Sequence, residues 1–140
     1  MKRIGLIVLI LAAVFGLIQL IPYGKNHDNP PVVTRIQWDS TQTENLVKMA
    51  CFDCHSNETN WPWYSNIAPA SWLVYHDVEE ARTYLNFSDL GPNGYAPMLD
   101  RIKQVIMDGK MPPFQYTIIH GSLSTEQKQQ LVDGLTASVK

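Results

Sequence analysis

The apolar positions of this chain follow two different patterns. From Ile4 to Ile21 the only polar side chain is Gln19, and Lys2 and Arg3 stand just before the run. Such a run reaches the lower limit for a membrane-spanning helix. The basic residues predict that the N-terminus stays cytoplasmic and the rest of the chain lies outside. The exit, Leu20-Ile21-Pro22-Tyr23-Gly24, is a poor cleavage site. Residues 1–21 are therefore expected to form a retained anchor, with a cleaved signal segment as the alternative. The resulting expectation is a single-pass protein of the cytoplasmic membrane whose folded part lies on the periplasmic or outer side. Residues 22–33 carry Pro22, Gly24, Pro30 and Pro31 and read as an extended linker, in which His27 is solvated.

Beyond residue 33 the apolar positions recur at helical spacing, which makes residues 34–140 one folded domain. Thr43 is the expected cap of a helix with Leu46, Val47, Ala50, Cys51 and Cys54 on one face. An aromatic stretch, Trp61-Pro62-Trp63-Tyr64, follows. A second helix is predicted over about residues 70–85, with Trp72, Leu73 and His76 at helical spacing, and a third over 95–107, stopped by Gly109. After the loop Met111-Pro112-Pro113, the sequence Ser124-Thr125-Glu126-Gln127 predicts a capping box opening a last helix through Leu131, Val132, Leu135 and Val139. There is no strand pattern and no repeat, so the fold class expected is all-α.

Composition narrows the function classes. The chain has 140 residues, 45% of them hydrophobic, and a formal net charge of -2. No basic patch or stripe appears, which argues against nucleic acid as a partner. A domain this small is marginal on buried area alone, and a large apolar cofactor would help it. The two cysteines are only three positions apart, so they are no disulfide framework.

Those cysteines carry the chemistry. Cys51-Phe52-Asp53-Cys54-His55 is C-x-x-C-H, the signature for covalent attachment of haem c. Two thiols a helical turn apart can add to two neighbouring vinyl groups, and the next residue then lies under the porphyrin, where a histidine nitrogen reaches the iron. A zinc site needs further ligands, and only scattered His27, His76 and His120 are available. A thioredoxin-like motif wants a βαβ setting, which is not visible.

Iron has a second axial position. Met98 and Met107 lie on a predicted helix, where packing is their expected role. Met111 lies beyond the helix-stopping Gly109, in a loop stiffened by two prolines, and is the first candidate. Packing on the haem edge is the alternative for it. His76 is the competitor and the stronger ligand type, in a helix beside Asp77, Glu79 and Glu80; His120 reads as structural.

Several segments together resemble the bacterial haem-binding domain family of small, membrane-anchored c-type cytochromes. They are Cys51 to Ser56, Trp61 to Tyr64, Ile67 to Leu73, His76-Asp77-Val78, Leu85 to Ser88, and Lys110-Met111-Pro112-Pro113. The resemblance covers about residues 40 to 137. It implies one covalent haem c, His55 as proximal ligand, Met111 as distal ligand, and a cytochrome c-like helical domain whose first and last helices cross. Two departures stand out. The last helix lacks an aromatic residue to pack on the first, and Gly134 lies inside its pattern, at a cost of about 1 kcal/mol relative to Ala. The function expected is single-electron transfer, with redox proteins of the periplasm or membrane as partners, and not enzymatic turnover. The alternative is a haem-based peroxidase-like catalyst or a gas or redox sensor with an open distal site.

Overall fold

The computed structural model describes residues 2–139, and among these no strand occurs. The helices are α1 (Lys2–Ile18), α2 (Thr41–Val47), α3 (Asp53–His55), α4 (Ala70–Tyr84), α5 (Leu99–Met107), α6 (Phe114–His120) and α7 (Thr125–Ala137). A π-helical turn, Lys48–Phe52, joins α2 to α3. The chain packs as two compact units. One comprises residues 2–28 and 60–80, the other residues 29–59 and 81–139.

In the first unit the expected transmembrane helix is not found. α1 has 17 residues, which at the α-helical rise is about 26 Å, less than the roughly 30 Å of a bilayer's hydrocarbon core. No helix among the described residues is long and apolar enough to cross a membrane. The single-pass anchor, and the location at the outer face of the cytoplasmic membrane that rested on it, are corrected accordingly. The physical reason is Gln19, the one polar side chain of the run. Its Nε2 donates to the carbonyls of Phe15 (3.1 Å) and Ala68 (2.9 Å), and its Oε1 accepts from the Ala68 N–H (2.9 Å). The chain is thus turned out of the helix before the apolar run ends. His27 is not a solvated linker residue either. It stacks on Trp61 at 4.6 Å and donates from Nε2 to the Ser65 carbonyl at 3.1 Å.

In the second unit α7 packs against both α2 and α5. Leu46 and Val47 from α2, Ile106 from α5, and Leu131, Val132 and Leu135 from α7 form the core, with Phe87, Tyr95 and Leu123. The Tyr95 hydroxyl reaches the Leu135 carbonyl at 2.8 Å. The π turn explains where the pattern of α2 continues. Residues five apart come into line in such a turn, so Phe52 falls below Val47. Phe52 indeed joins the aromatic cluster, stacked on Phe87 at 5.9 Å and beside Trp38 at 6.5 Å.

The cap of α2 is Ser40, not Thr43: the Ser40 side chain accepts from the Thr43 N–H at 3.2 Å. Thr43 turns inward instead and is buried. Asp39 sits at the same corner, where its backbone N–H donates to Ser138 Oγ at 3.0 Å. The Thr43 hydroxyl, and after it those of Ser138 and Ser40, hold the Asp39 carboxyl below its ordinary value of 3.8 against the opposing effect of burial. A carboxyl depressed in the native state stabilises above its unfolded pKa, and that contribution is lost as pH falls through the native value. Asp39→Asn should therefore flatten the acid-unfolding curve below about pH 3.8. Superimposable acid limbs for the two proteins would contradict this.

Candidate functional site

The residues of the C-x-x-C-H motif share one helical stretch. Cys51 lies in the π turn, and Cys54 and His55 lie in α3. All three are half-buried, and neither cysteine is in a disulfide. Burial, and secondarily the neighbouring Cys54, push the Cys51 thiol up to about 12. The thiol is therefore protonated at neutral pH.

His55 is the last helical residue, because Ser56 turns extended (φ -147, ψ 170). Its Nδ1 lies 3.0 Å from the Leu85 carbonyl. A carbonyl only accepts, so Nδ1 carries the proton and Nε2 keeps the lone pair. Burial lowers the imidazole pKa more than the Leu85 and Ala81 carbonyls raise it. A neutral imidazole with its other ring N–H fixed on a carbonyl is the form in which proteins offer histidine to a metal.

A polar network holds that carbonyl in place. The Phe87 N–H donates to the His55 carbonyl at 2.8 Å. Arg82 donates from Nε to the Ser56 carbonyl and from Nη2 to Thr59 Oγ1, both at 2.9 Å, and the Thr59 hydroxyl donates to the Asp53 carbonyl at 2.8 Å. Asn57 donates to the Pro31 carbonyl at 2.9 Å and accepts from Asn86 at 2.8 Å. The segment after His55 is thereby laced to the 82–88 segment that carries Leu85.

Met111 belongs to the same unit as the motif. Its position is set by how α5 ends. Gly109 takes φ +71, its N–H bonds the Ile106 carbonyl at 3.0 Å, and the Lys110 N–H bonds the Val105 carbonyl at 2.9 Å. This is a Schellman stop, and the Met111 N–H shares the Val105 carbonyl at 3.0 Å. The loop then continues into α6, which the sequence pattern did not reveal. Tyr116 in α6 reaches the motif directly: its hydroxyl donates to Asp53 Oδ2 at 2.8 Å, with the Met49 carbonyl at 3.1 Å beside the same proton. Burial, and then Asp53, push the Tyr116 hydroxyl far above the ordinary tyrosine range, so it remains a donor.

The other candidates are placed differently. His76 belongs to the first unit, is 62% exposed and pairs with Glu80 on its own helix at 3.6 Å. His120 stacks on Tyr116 at 4.2 Å. The indole N–H groups of Trp61 and Trp72 are buried with no hydrogen-bond partner, whereas Trp63 is exposed. Among the described residues no group of three or more His, Cys, Asp or Glu is arranged to hold a metal ion. A small open groove of about 90 Å³ is lined by Phe52, Phe87 and Trp38 among others, but by neither cysteine, nor His55, nor Met111.

A family model described as a haem-binding domain matches residues 13–137. The chain belongs to the haem-binding domain family. Haem binding follows from that membership. No curated protein and no solved structure matches the chain.

The residues present fit the family's cofactor. Two thiols lie three positions apart on a helix, followed by an imidazole whose Nε2 is left unprotonated. The α6 segment that Tyr116 fastens to this helix exposes Phe114, Ile118 and Ile119, and Met111 before it is 39% exposed. Large apolar side chains left open to water are surface that an apolar group the size of a porphyrin can cover.

Proposed function

We propose that this haem-binding domain carries one haem, attached through thioethers at Cys51 Sγ and Cys54 Sγ, and passes single electrons between redox partner proteins. In this reading His55 Nε2 and Met111 Sδ would hold its iron. The observation that carries it is the His55 ring, held by Leu85 with one nitrogen left for a metal, directly after two thiols at the attachment spacing. When bound, haem supplies a one-electron iron couple.

The protein's part is to hold and to enclose. Cys51 and Cys54 keep the cofactor on the chain. Leu85 fixes the tautomer and plane of His55. The Schellman stop after α5 fixes the backbone of Met111. Met111 is preferred to His76 because His76 is exposed and pairs with Glu80 on its own helix. Methionine ligation raises the potential. With His55 and Met111 both holding the iron, no site would be left for a substrate, which favours a carrier over the peroxidase-like catalyst or sensor.

The test is the absorption spectrum of the chain matured with haem. A low-spin c-type spectrum is expected, with the weak near-infrared sulfur-to-iron band in the oxidised form. Met111→Ala should lose that band, lower the potential and admit CO after reduction, whereas His76→Ala should change none of these. A wild-type spectrum without the band, with rapid CO uptake, would overturn the carrier reading in favour of catalysis or sensing. Absence of haem would overturn the covalent attachment.

A further inference from the structure

Tyr116 is not part of the attachment motif and is five residues beyond Met111, yet its hydroxyl hydrogen-bonds from α6 to the Cys51–His55 stretch. The bond is to Asp53, inside the motif, and to the carbonyl of Met49, inside the π turn. One end of the Met111 loop is fixed by the Schellman stop on α5. The other end runs through Pro112 and Pro113 into α6, whose Phe114, Ile118 and Ile119 side chains are exposed. α6 is only 7 residues long, too short to hold itself in place by its own helical bonds. A half-buried hydrogen bond to a carboxylate is among the stronger single tethers available to such a segment.

We propose that Tyr116 is a positioning residue for Met111. Its hydroxyl ties α6, and with it the far end of the Met111 loop, to the haem-attachment turn. The tie sets how firmly the thioether stays at the distal position. This rests on Met111 ligation as proposed above. Asp53 is the other half of the device, so the middle of the attachment motif has a role beyond spacing the cysteines.

The experiment uses the matured holoprotein and compares wild type, Tyr116→Phe, Asp53→Asn and Asp53→Ala. Phe removes only the hydroxyl, Asn keeps an oxygen that can accept from Tyr116, and Ala keeps nothing. The readouts are the sulfur-to-iron band of the oxidised protein and the rate of CO uptake by the reduced protein, with thermal unfolding alongside. Tyr116→Phe and Asp53→Ala should take up CO about tenfold faster, the loss expected for one charge-assisted hydrogen bond, and should lose the band at a lower temperature than wild type. Asp53→Asn, which keeps an acceptor but not the charge, should lie between wild type and Asp53→Ala. A merely structural role would shift the unfolding temperature and leave CO uptake in the folded protein unchanged. Wild type with the band, and Tyr116→Phe with unchanged band and CO rate, would overturn the tether alone. Wild type without the band would overturn Met111 ligation and the tether with it.

Discussion

Replacing Cys51 and Cys54 together by Ala is expected to leave no haem on the denatured chain, whereas the wild-type chain should keep all of it through electrophoresis. The contrast is all-or-none because two kinds of bond are being separated. Axial ligands hold a metal only while the fold presents them; a thioether persists when the fold is gone. Either single variant keeps one thioether and should still stain, with a shifted reduced spectrum from the vinyl group left unreacted. His55→Ala provides the complement. It should keep the stain and lose the low-spin spectrum, since attachment and ligation reside in different residues. The double variant should retain its helices, because Cys51 packs only at the margin of the core, while Leu46, Val47 and Leu131 are among its buried members. Haem retained by the denatured double variant would mean attachment elsewhere in the chain, and the reading of the motif would fail.

How much of this was legible in the sequence depends on the range of the interaction. The C-x-x-C-H motif can be read off the sequence because its spacing is local, and its three residues share one helical stretch. Gly109 and the Ser124 capping box are legible for the same reason: a positive φ and a reciprocal cap are requirements of neighbouring residues, and both are present. The π turn is not legible, because a helical pattern read at one period misses the extra residue that brings Phe52 onto the core face. The cap of α2 was misplaced by three residues, since Ser40 and Thr43 are both good caps and only the packing of Thr43 against α7 decides between them. α1 stops short because Gln19 finds a partner at Ala68, 49 positions away. A hydropathy window cannot see that partner. α6 and Tyr116 were missed because a 7-residue helix has too few turns to show a period. The Asp53 contact that gives the segment its place spans 63 positions.

Gly134 shows the same limit with an opposite sign, and it yields the second large effect. By propensity alone, Gly134→Ala should stabilise α7 by about 1 kcal/mol. The structure predicts the reverse. A Cβ built on Gly134 would fall on the Thr43 side chain, nearest its Oγ1. Thr43 is 3% exposed, so it has nowhere to move. Gly134 is therefore a point of close approach between α2 and α7, where a small residue rather than an aromatic pair lets the helices meet. Overpacking of this kind costs roughly 1–3 kcal/mol. It also strains Ser138, whose hydroxyl donates to the Gly134 carbonyl at 2.7 Å. Gly134→Ala is thus expected to lower the denaturant midpoint of the holoprotein, and Gly134→Val to lower it further or prevent folding. The cause can be isolated in a double-mutant cycle. Thr43→Ala removes Oγ1 and Cγ2 but leaves Cβ, which the new methyl would still meet at 2.8 Å. The pair Thr43→Ala with Gly134→Ala should therefore recover most, not all, of the loss, with a coupling of at least about 1 kcal/mol between the sites. Additive losses, or a Gly134→Ala protein more stable than wild type, would mean that propensity outweighs the crossing and that α7 can move away from α2 at little cost.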